Sequence, residues 1–125
     1  WPADGRVISK FGRQWNPKLK TTTENPGIDI KGKPGSSIRT VLGGVVTTIT
    51  YIRGYGTTII VDHGGGFYTV YSHVTNIQTN VDSQVRNGDV IAYMGDTGSI
   101  NGSKLHFEIW GKGQKLDPEK WLRRK

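Results

Sequence analysis

The sequence contains no cysteine, a single methionine and no long run of apolar residues. Without cysteine, disulfide bridges and thiolate metal sites are excluded. No apolar stretch approaches the roughly 20 residues that a membrane-spanning helix needs. We therefore expect no transmembrane segment. No signal peptide opens the chain, so we expect any targeting segment to lie upstream of Trp1.

Acidic residues are also few, because 10 Asp and Glu stand against 17 Lys and Arg, which leaves a net charge of +7. Such a balance favours an anionic partner, for example a nucleic acid, a cell-wall polymer or an acidic protein surface. The basic residues are spread along the chain without a basic helix or a stacking motif. We therefore expect no nucleic acid partner.

The composition predicts an all-β domain. A chain of 125 residues fits one domain, 1–125, and can bury a core. Only 34% of its residues are hydrophobic and 18 are glycine. Strand-like segments alternate with glycine turns, which indicates antiparallel hairpins. The strand candidates are Val7–Ile8, Gly27–Ile30, Ile38–Val41, Val45–Tyr51, Thr57–Asp62, Phe67–Ser72, Val90–Met94 and Leu105–Trp110.

The remaining segments are predicted from turn and cap signals. Arg13–Asn25 is polar and predicts a loop or a loose hairpin, and Gly95–Gly102 predicts a loop. Along Leu105–Trp110, apolar and polar residues alternate, so His106, Glu108 and Trp110 share one face. Asp117 followed by Pro118 predicts the start of a short C-terminal helical turn.

Three short segments carry the chemistry: Asn25–Asp29, Tyr71–His73 and Lys104–Glu108. They resemble the signature of the LytM (lysostaphin-like) zinc endopeptidases, which reads His-x-Gly-x-Asp, Tyr-x-His and His-x-His-Phe-Glu. The resemblance implies an antiparallel, β-sandwich-like LytM fold (a duplicated hybrid motif) with a groove over the sheet. Further segments match the family in order and spacing, namely Gly54–Gly56, Val61–Gly64, Val85–Ile91 and Gly95–Gly98.

The resemblance implies a zinc site with two parts replaced. The family's metal ligands map to Asn25, Asp29 and His106, and its two water-activating histidines map to His73 and Lys104. An amide oxygen is a weak zinc ligand. The ammonium of Lys104 opposes a dication and is free to pair with Asp29. We therefore expect no catalysis and no cofactor, with the metal ligands and the catalytic pair only vestigial.

Each retained residue also has a purely structural interpretation. Asp29 is a turn cap or a partner of Lys104 or Lys31 in this interpretation. His106 is then a satisfied strand histidine, and His73 hydrogen-bonds a carbonyl. Glu108 is taken as structural, as it is in the family.

A domain that keeps the fold but lacks part of the zinc-ligand set resembles the EnvC-type murein hydrolase activators. That resemblance implies a non-catalytic domain that binds and allosterically activates periplasmic N-acetylmuramoyl-L-alanine amidases, whose own zinc is blocked by a regulatory helix. It also implies septal peptidoglycan cleavage in cell division, and location in the periplasm or envelope of a Gram-negative-type bacterium. The expected partner-binding groove comprises Asn25, Asp29, Arg53, Tyr55, Tyr71, His73, Lys104, His106 and Trp110.

Two alternatives stay open. The first is a divergent zinc metalloendopeptidase that cuts peptidoglycan peptides, with Asn25 or Glu24 as the third ligand. The second is a peptidoglycan-binding module without a partner enzyme, which the net charge and the groove aromatics also fit.

Overall fold

The computed structural model describes residues 1–99 and 102–123, and their regular secondary structure is β-strand apart from one short helical turn. Its elements are β1 (Arg6–Ser9), β2 (Gly12–Asn16), β3 (Thr21–Asn25), β4 (Ile28–Lys31), β5 (Ser37–Arg39), β6 (Gly44–Ile52), β7 (Gly56–Gly64), β8 (Phe67–Ser72), β9 (Val74–Thr75), β10 (Gln84–Val85), β11 (Val90–Met94), β12 (Lys104–Gly111), β13 (Gln114–Leu116) and α1 (Pro118–Trp121).

The strands form one large antiparallel sheet, one small sheet and a separate hairpin. The large sheet has the order β1-β4-β12-β8-β7-β6-β10, and β13 pairs with β12. The small sheet has the order β5-β11-β9, and β2 pairs with β3. The all-β antiparallel fold with a short C-terminal helical turn, predicted from the sequence, is thus confirmed.

One face of the large sheet packs into the core. The residues Ile49, Ile59, Tyr71, Phe107 and Ile28 follow one another across five neighbouring strands in direct register. Facing residues of antiparallel neighbours project to the same side of the sheet. All but the half-buried Ile49 are fully buried, so this row is a central line of the hydrophobic core.

The neighbouring row on the opposite face is polar. Ser9 faces Asp29, Asp29 faces His106, and His106 faces Ser72 across β1, β4, β12 and β8. The hydroxyl of Ser72 lies 2.9 Å from that of Thr58 on β7, which extends the row. The alternation predicted along β12 therefore places His106 in a polar row on the face of the sheet opposite the core.

The polar segment Arg13–Asn25, for which the sequence left a loop or a loose hairpin open, forms a hairpin with regular pairing. β2 and β3 pair from Gly12 opposite Asn25 to Asn16 opposite Thr21. Its side chains are mostly exposed, because it lies outside the two sheets. The end of this hairpin brings Asn25 to the polar face of the large sheet.

Gly56 allows the turn between β6 and β7 to approach the rest of the domain. Its φ is +71°, and an added Cβ would lie 2.0 Å from the carbonyl oxygen of Thr97. A side chain here is therefore excluded both by the left-handed backbone and by the contact. This approach sets the position of the neighbouring Tyr55.

At the C-terminal end, Asp117 caps α1 as predicted, since its Oδ1 accepts a hydrogen bond of 3.1 Å from the Glu119 amide. Among the described residues, no helix has the length and apolar character needed to cross a membrane. The loop predicted at Gly95–Gly102 is described up to Ser99 and at Gly102. Residues 100 and 101 lie outside the described part of the chain.

Candidate functional site

A groove of about 390 Å³ lies on the polar face of the large sheet. The end of the β2–β3 hairpin forms part of its lining, and the turn between β6 and β7 forms another part. Six of the residues predicted for the site line it together: Asn25, Asp29, Tyr55, His73, Lys104 and His106. Ser9 and Glu24 also line it.

His106 is held at both ring nitrogens by carboxylates. Its Nδ1 lies 2.6 Å from Oδ1 of Asp29 on the neighbouring strand β4. Its Nε2 lies 2.7 Å from Oε2 of Glu108, two residues further along β12. The His106 and Glu108 side chains are only 5% and 6% exposed. The ring is therefore fixed in one orientation inside the sheet face.

This arrangement favours the charged forms of all three groups. Burial alone would lower the pKa of His106, but hydrogen bonds to Asp29 and Glu108 outweigh it and raise that pKa. Burial alone would raise the pKa of Asp29 and of Glu108. The hydrogen bonds to each carboxylate and the neighbouring cations, with His106 the main partner in both cases, together outweigh burial and lower both pKa values. The geometry thus supports an imidazolium between two carboxylates.

Lys104 supplies a second cation to the same carboxylate. Its Nζ lies 3.3 Å from Oδ2 of Asp29, and its side chain is 13% exposed. The pairing with Asp29 that the sequence suggested is therefore present. Both oxygens of Asp29 have a cationic partner, which also lowers the pKa of Asp29.

Asn25 uses its amide for local structure. Its Oδ1 accepts a hydrogen bond of 3.0 Å from the Gly27 amide, and its Nδ2 donates one of 2.9 Å to the hydroxyl of Ser9. The first bond closes a turn of the kind that Asn commonly forms. The oxygen that would replace an imidazole ligand is therefore already engaged.

His73 presents an acceptor nitrogen to the groove. Its backbone φ is +65°, unusual for a residue with a side chain. Its amide donates to the Tyr55 carbonyl at 2.8 Å, and the Gly95 amide donates to the carbonyl of His73 at 3.1 Å. The ring Nδ1 lies 2.6 Å from the Thr97 carbonyl, so Nδ1 carries the hydrogen and Nε2 accepts when the ring is neutral. Burial lowers the pKa of His73, which favours this neutral form.

Tyr55 forms an aromatic wall beside His106. The two ring centroids are 5.0 Å apart and the planes are tilted by 44°. Burial together with the charges of Glu108 and Asp29 raises the pKa of the Tyr55 phenol, so the hydroxyl stays neutral. The groove thus combines one aromatic surface with a line of paired charges.

The side chains at the positions of the family's metal ligands do not fit a zinc site. Structural and catalytic zinc sites use at least three protein ligands from cysteine, histidine and carboxylates. Among the described residues, no group of three or more His, Asp or Glu side chains is arranged so that it could hold a metal ion. Asp29 and His106 bond each other, and the Lys104 ammonium is beside them.

Three of the predicted groove residues lie elsewhere. The prediction that Tyr71 lines the groove is wrong, because its side chain is fully buried in the core. It packs on Phe107 with ring centroids 5.3 Å apart. Its position in register with Phe107 places it on the apolar face. Arg53 is exposed in the turn before Tyr55, and Trp110 is half-buried beyond Glu108; neither lines the cavity.

Glu108 belongs to the site more directly than the sequence interpretation allowed. Besides bonding His106, it accepts a hydrogen bond of 2.7 Å from Nε1 of Trp110. Lys115 lies 3.7 Å from the same oxygen of Glu108. The signal was present, because alternation along β12 already placed Glu108 on the face of His106.

A larger cavity of about 680 Å³ lies elsewhere, around Phe67, Ile109 and Trp121. It is lined mainly by apolar and aromatic groups. His63 is its single histidine, bonded to the Gly43 carbonyl and the Thr69 hydroxyl. We assign the functional site to the smaller groove, because the coupled charges and the strained His73 occur there.

Comparison with known proteins defines the class to which this fold and groove belong. Residues 23–118 match Peptidase family M23, and the chain belongs to that family. The zinc-containing peptidase of Vibrio cholerae superposes with a TM-score of 0.85 at 24% identity, covering 94% of this chain and 37% of that one. At that identity the likeness shows the fold alone. The LytM resemblance noted in the sequence is thereby confirmed.

Within the family, two similar relatives carry activator names. The murein hydrolase activator NlpD of Salmonella dublin is 37% identical over 98% of this chain and 30% of its own length. The murein hydrolase activator EnvC of Escherichia coli K12 is 32% identical over 99% of this chain and 29% of its own. The DD-carboxypeptidase/endopeptidase Mpg of Neisseria meningitidis is 34% identical over 90% of this chain and 26% of its own. The chain thus spans under a third of each relative's length.

Proposed function

We propose that this domain is a non-catalytic member of its family that binds and allosterically activates a cell-wall amidase. The partner is a periplasmic N-acetylmuramoyl-L-alanine amidase, and the setting is septal peptidoglycan cleavage in the envelope of a Gram-negative-type bacterium. The activator names of NlpD and EnvC support this proposal. So does the absence of a usable third ligand beside Asp29 and His106 in the described residues.

One observation carries the non-catalytic part of the proposal. The Lys104 ammonium lies 3.3 Å from the carboxylate that would have to bind zinc. A cation at that distance already balances the charge of Asp29, and it repels a dication. No zinc is needed to neutralise the carboxylates, because Lys104 and His106 do so.

The shape and the charge of the groove support the activating part of the proposal. Internal pairing fixes Asp29, His106 and Glu108, so little side-chain entropy is lost when a partner covers them. Tyr55 offers rigid aromatic area of the kind that dominates binding energy. The domain then activates by binding the open state of the amidase more tightly than its closed state.

A dye-release assay on labelled peptidoglycan sacculi tests the proposal. The 125-residue chain alone should release no dye, and it should stimulate at least one member of a panel of purified periplasmic amidases. Release by the chain alone, abolished by a chelator, would refute the non-catalytic assignment. Retention on sacculi without any amidase stimulation would identify a binding module instead.

Matched variants then locate the activating surface. Tyr55→Ala removes the aromatic wall of the groove and should abolish stimulation while the thermal unfolding midpoint stays close to that of the wild type. Tyr51→Ala is the control, because Tyr51 lies on β6 of the same hairpin and is 65% exposed. Equal loss in both variants would place the contact outside the groove.

A divergent zinc endopeptidase is the second candidate. It is favoured by the retained acceptor of His73 near the Asp29–His106 pair, and by the name of the Neisseria relative. Metal analysis of the purified chain at neutral pH separates the two functions. About one zinc per chain, lost together with sacculus cleavage in Asp29→Ala, would favour the enzyme.

A further inference from the structure

Three basic side chains face one another in register beside the groove. Arg6 on β1 is directly opposite Lys31 on β4, and Lys31 is directly opposite Lys104 on β12. Lys31 is two positions from Asp29, and Lys104 is two positions from His106, so both lie on the same face as those residues. Arg6 faces Lys31 and therefore lies on that face as well. We call Arg6, Lys31 and Lys104 the basic row.

This row is unfavourable for the isolated domain. Like charges directly opposite each other on neighbouring strands destabilise a sheet. In the described part of the chain, the ion pairs involve Lys104 but neither Arg6 nor Lys31, and both of these side chains are exposed. Within the row, Lys104 pairs with the carboxylate of Asp29, and that carboxylate is shared with His106.

The basic row is continuous with the groove. Lys104 belongs to both, since it lines the cavity and ends the row. A ligand that leaves the groove at Lys104 and follows this row from β12 to β1 passes over Lys104, Lys31 and Arg6 in turn. The excess of positive charge favours carboxylates on that ligand.

The spacing of the row fits a helix. Neighbouring strands lie about 4.8 Å apart, so three cations on consecutive strands form a line of roughly 10 Å. On a helix, side chains four residues apart lie about 5–6 Å from each other. Acidic residues at positions i, i+4 and i+8 of one helix would therefore meet the three cations in sequence.

We propose that the basic row binds an acidic helical segment of the activated hydrolase, with carboxylates one helical turn apart. This inference rests on the proposed function for the identity of the partner. The ligand chemistry rests on the row itself. Ordered carboxylates of the partner balance the charge that the free domain leaves unpaired on Arg6 and Lys31.

Peptide binding tests the ligand chemistry without any amidase. The probe is a fluorescent alanine-based helical peptide with Glu at i, i+4 and i+8, and its counterpart carries Gln at the same three positions. The wild-type chain should bind the Glu peptide at least tenfold more tightly, and the difference should shrink as ionic strength rises. Equal binding of the two peptides would overturn the proposal.

A charge-matched pair of variants separates the row from general charge. Arg6→Gln/Lys31→Gln and Arg86→Gln/Lys120→Gln each remove one Arg and one Lys, so both change the net charge from +7 to +5. Arg86 and Lys120 are exposed and lie outside the row. Only the first variant should lose the Glu peptide, by tenfold or more; equal losses in both would overturn the proposal.

The amidase assay then tests the partner. The first variant should need at least tenfold more domain for half-maximal stimulation, and the control should behave as the wild type. If Arg6→Gln/Lys31→Gln instead loses retention on sacculi while amidase stimulation is unchanged, the basic row binds the cell wall and the proposed partner is wrong. If the wild type stimulates no amidase, the proposed function fails. The peptide measurements still test whether the basic row binds a helix that carries carboxylates.

Discussion

Nδ1 of His106 lies 2.6 Å from Oδ1 of Asp29, across the junction of β12 and β4. In the family pattern these two residues are metal ligands, and here they bond each other. Glu108 holds the opposite nitrogen of the ring at 2.7 Å. A charged network therefore occupies the centre of the groove, and it makes the behaviour of the domain predictable in several experiments.

The network predicts a stability maximum at mildly acidic pH. The folded-state pKa of His106 is raised above its ordinary 6.5, so its contribution is complete below 6.5 and is lost as pH rises through the raised value. The pKa values of Asp29 and Glu108 are lowered from 3.8 and 4.5, so their contribution is lost as pH falls through the lowered values. Thermal unfolding should therefore peak between pH 4.5 and 6.5.

A substitution assigns this dependence to its source. His106→Gln should flatten the alkaline side of the stability profile, because it removes the group whose pKa is raised. His63→Gln is the control, since His63 lies outside the groove, between the Gly43 carbonyl and the Thr69 hydroxyl. A profile that flattens in the His63 variant and not in the His106 variant would contradict the prediction.

Zinc binding should be gained by restoring the two replaced histidines. Asn25→His/Lys104→His supplies a third ligand and removes the ammonium beside Asp29, while Glu108 remains to orient His106. We expect about one zinc per chain in the double variant by mass spectrometry of the purified protein. The wild type should hold only background metal, and stoichiometric zinc there would be incompatible with our account of Lys104.

Tyr71 should matter for stability and not for the groove. Its hydroxyl accepts hydrogen bonds from the Val41 amide at 3.2 Å and from Thr69 at 2.8 Å, inside the core. Tyr71→Phe leaves these donors without this acceptor and should lower the free energy of unfolding by about 1–3 kcal/mol. Denaturant titration measures this loss, and amidase stimulation by the folded variant should be unchanged. Tyr55→Phe, on the groove side, is the comparison that should leave stability close to wild type.

Removing charge from the basic row should stabilise the free domain. Lys31 faces Arg6 on one side and Lys104 on the other, so Lys31→Gln relieves two like-charge contacts. We expect a gain of roughly 0.2–1 kcal/mol at low ionic strength, which salt should reduce. Chemical denaturation at two salt concentrations measures it. Destabilisation by this variant would indicate that Lys31 has a favourable partner in the fold.

Strand positions and the helix cap were accessible from the sequence because they depend on local signals. Alternation along Leu105–Trp110 placed His106 and Glu108 on one face, and Asp117 before Pro118 marked the helix start. The hairpin β2–β3 was less clear, because its polar strands carry no buried face. Its backbone pairing forms without the apolar alternation that identifies most strands.

For the candidate site, the sequence by itself determined which donor types are present: Asn25 and Lys104 stand where the family pattern has histidine. Only the tertiary structure decided which of them meet. Register across β1, β4, β12 and β8 brings Ser9, Asp29, His106 and Ser72 into one row, and the same register sends Tyr71 into the core. The physical reason is that a shift by one residue moves every side chain of a strand to the other face, and register depends on long-range pairing.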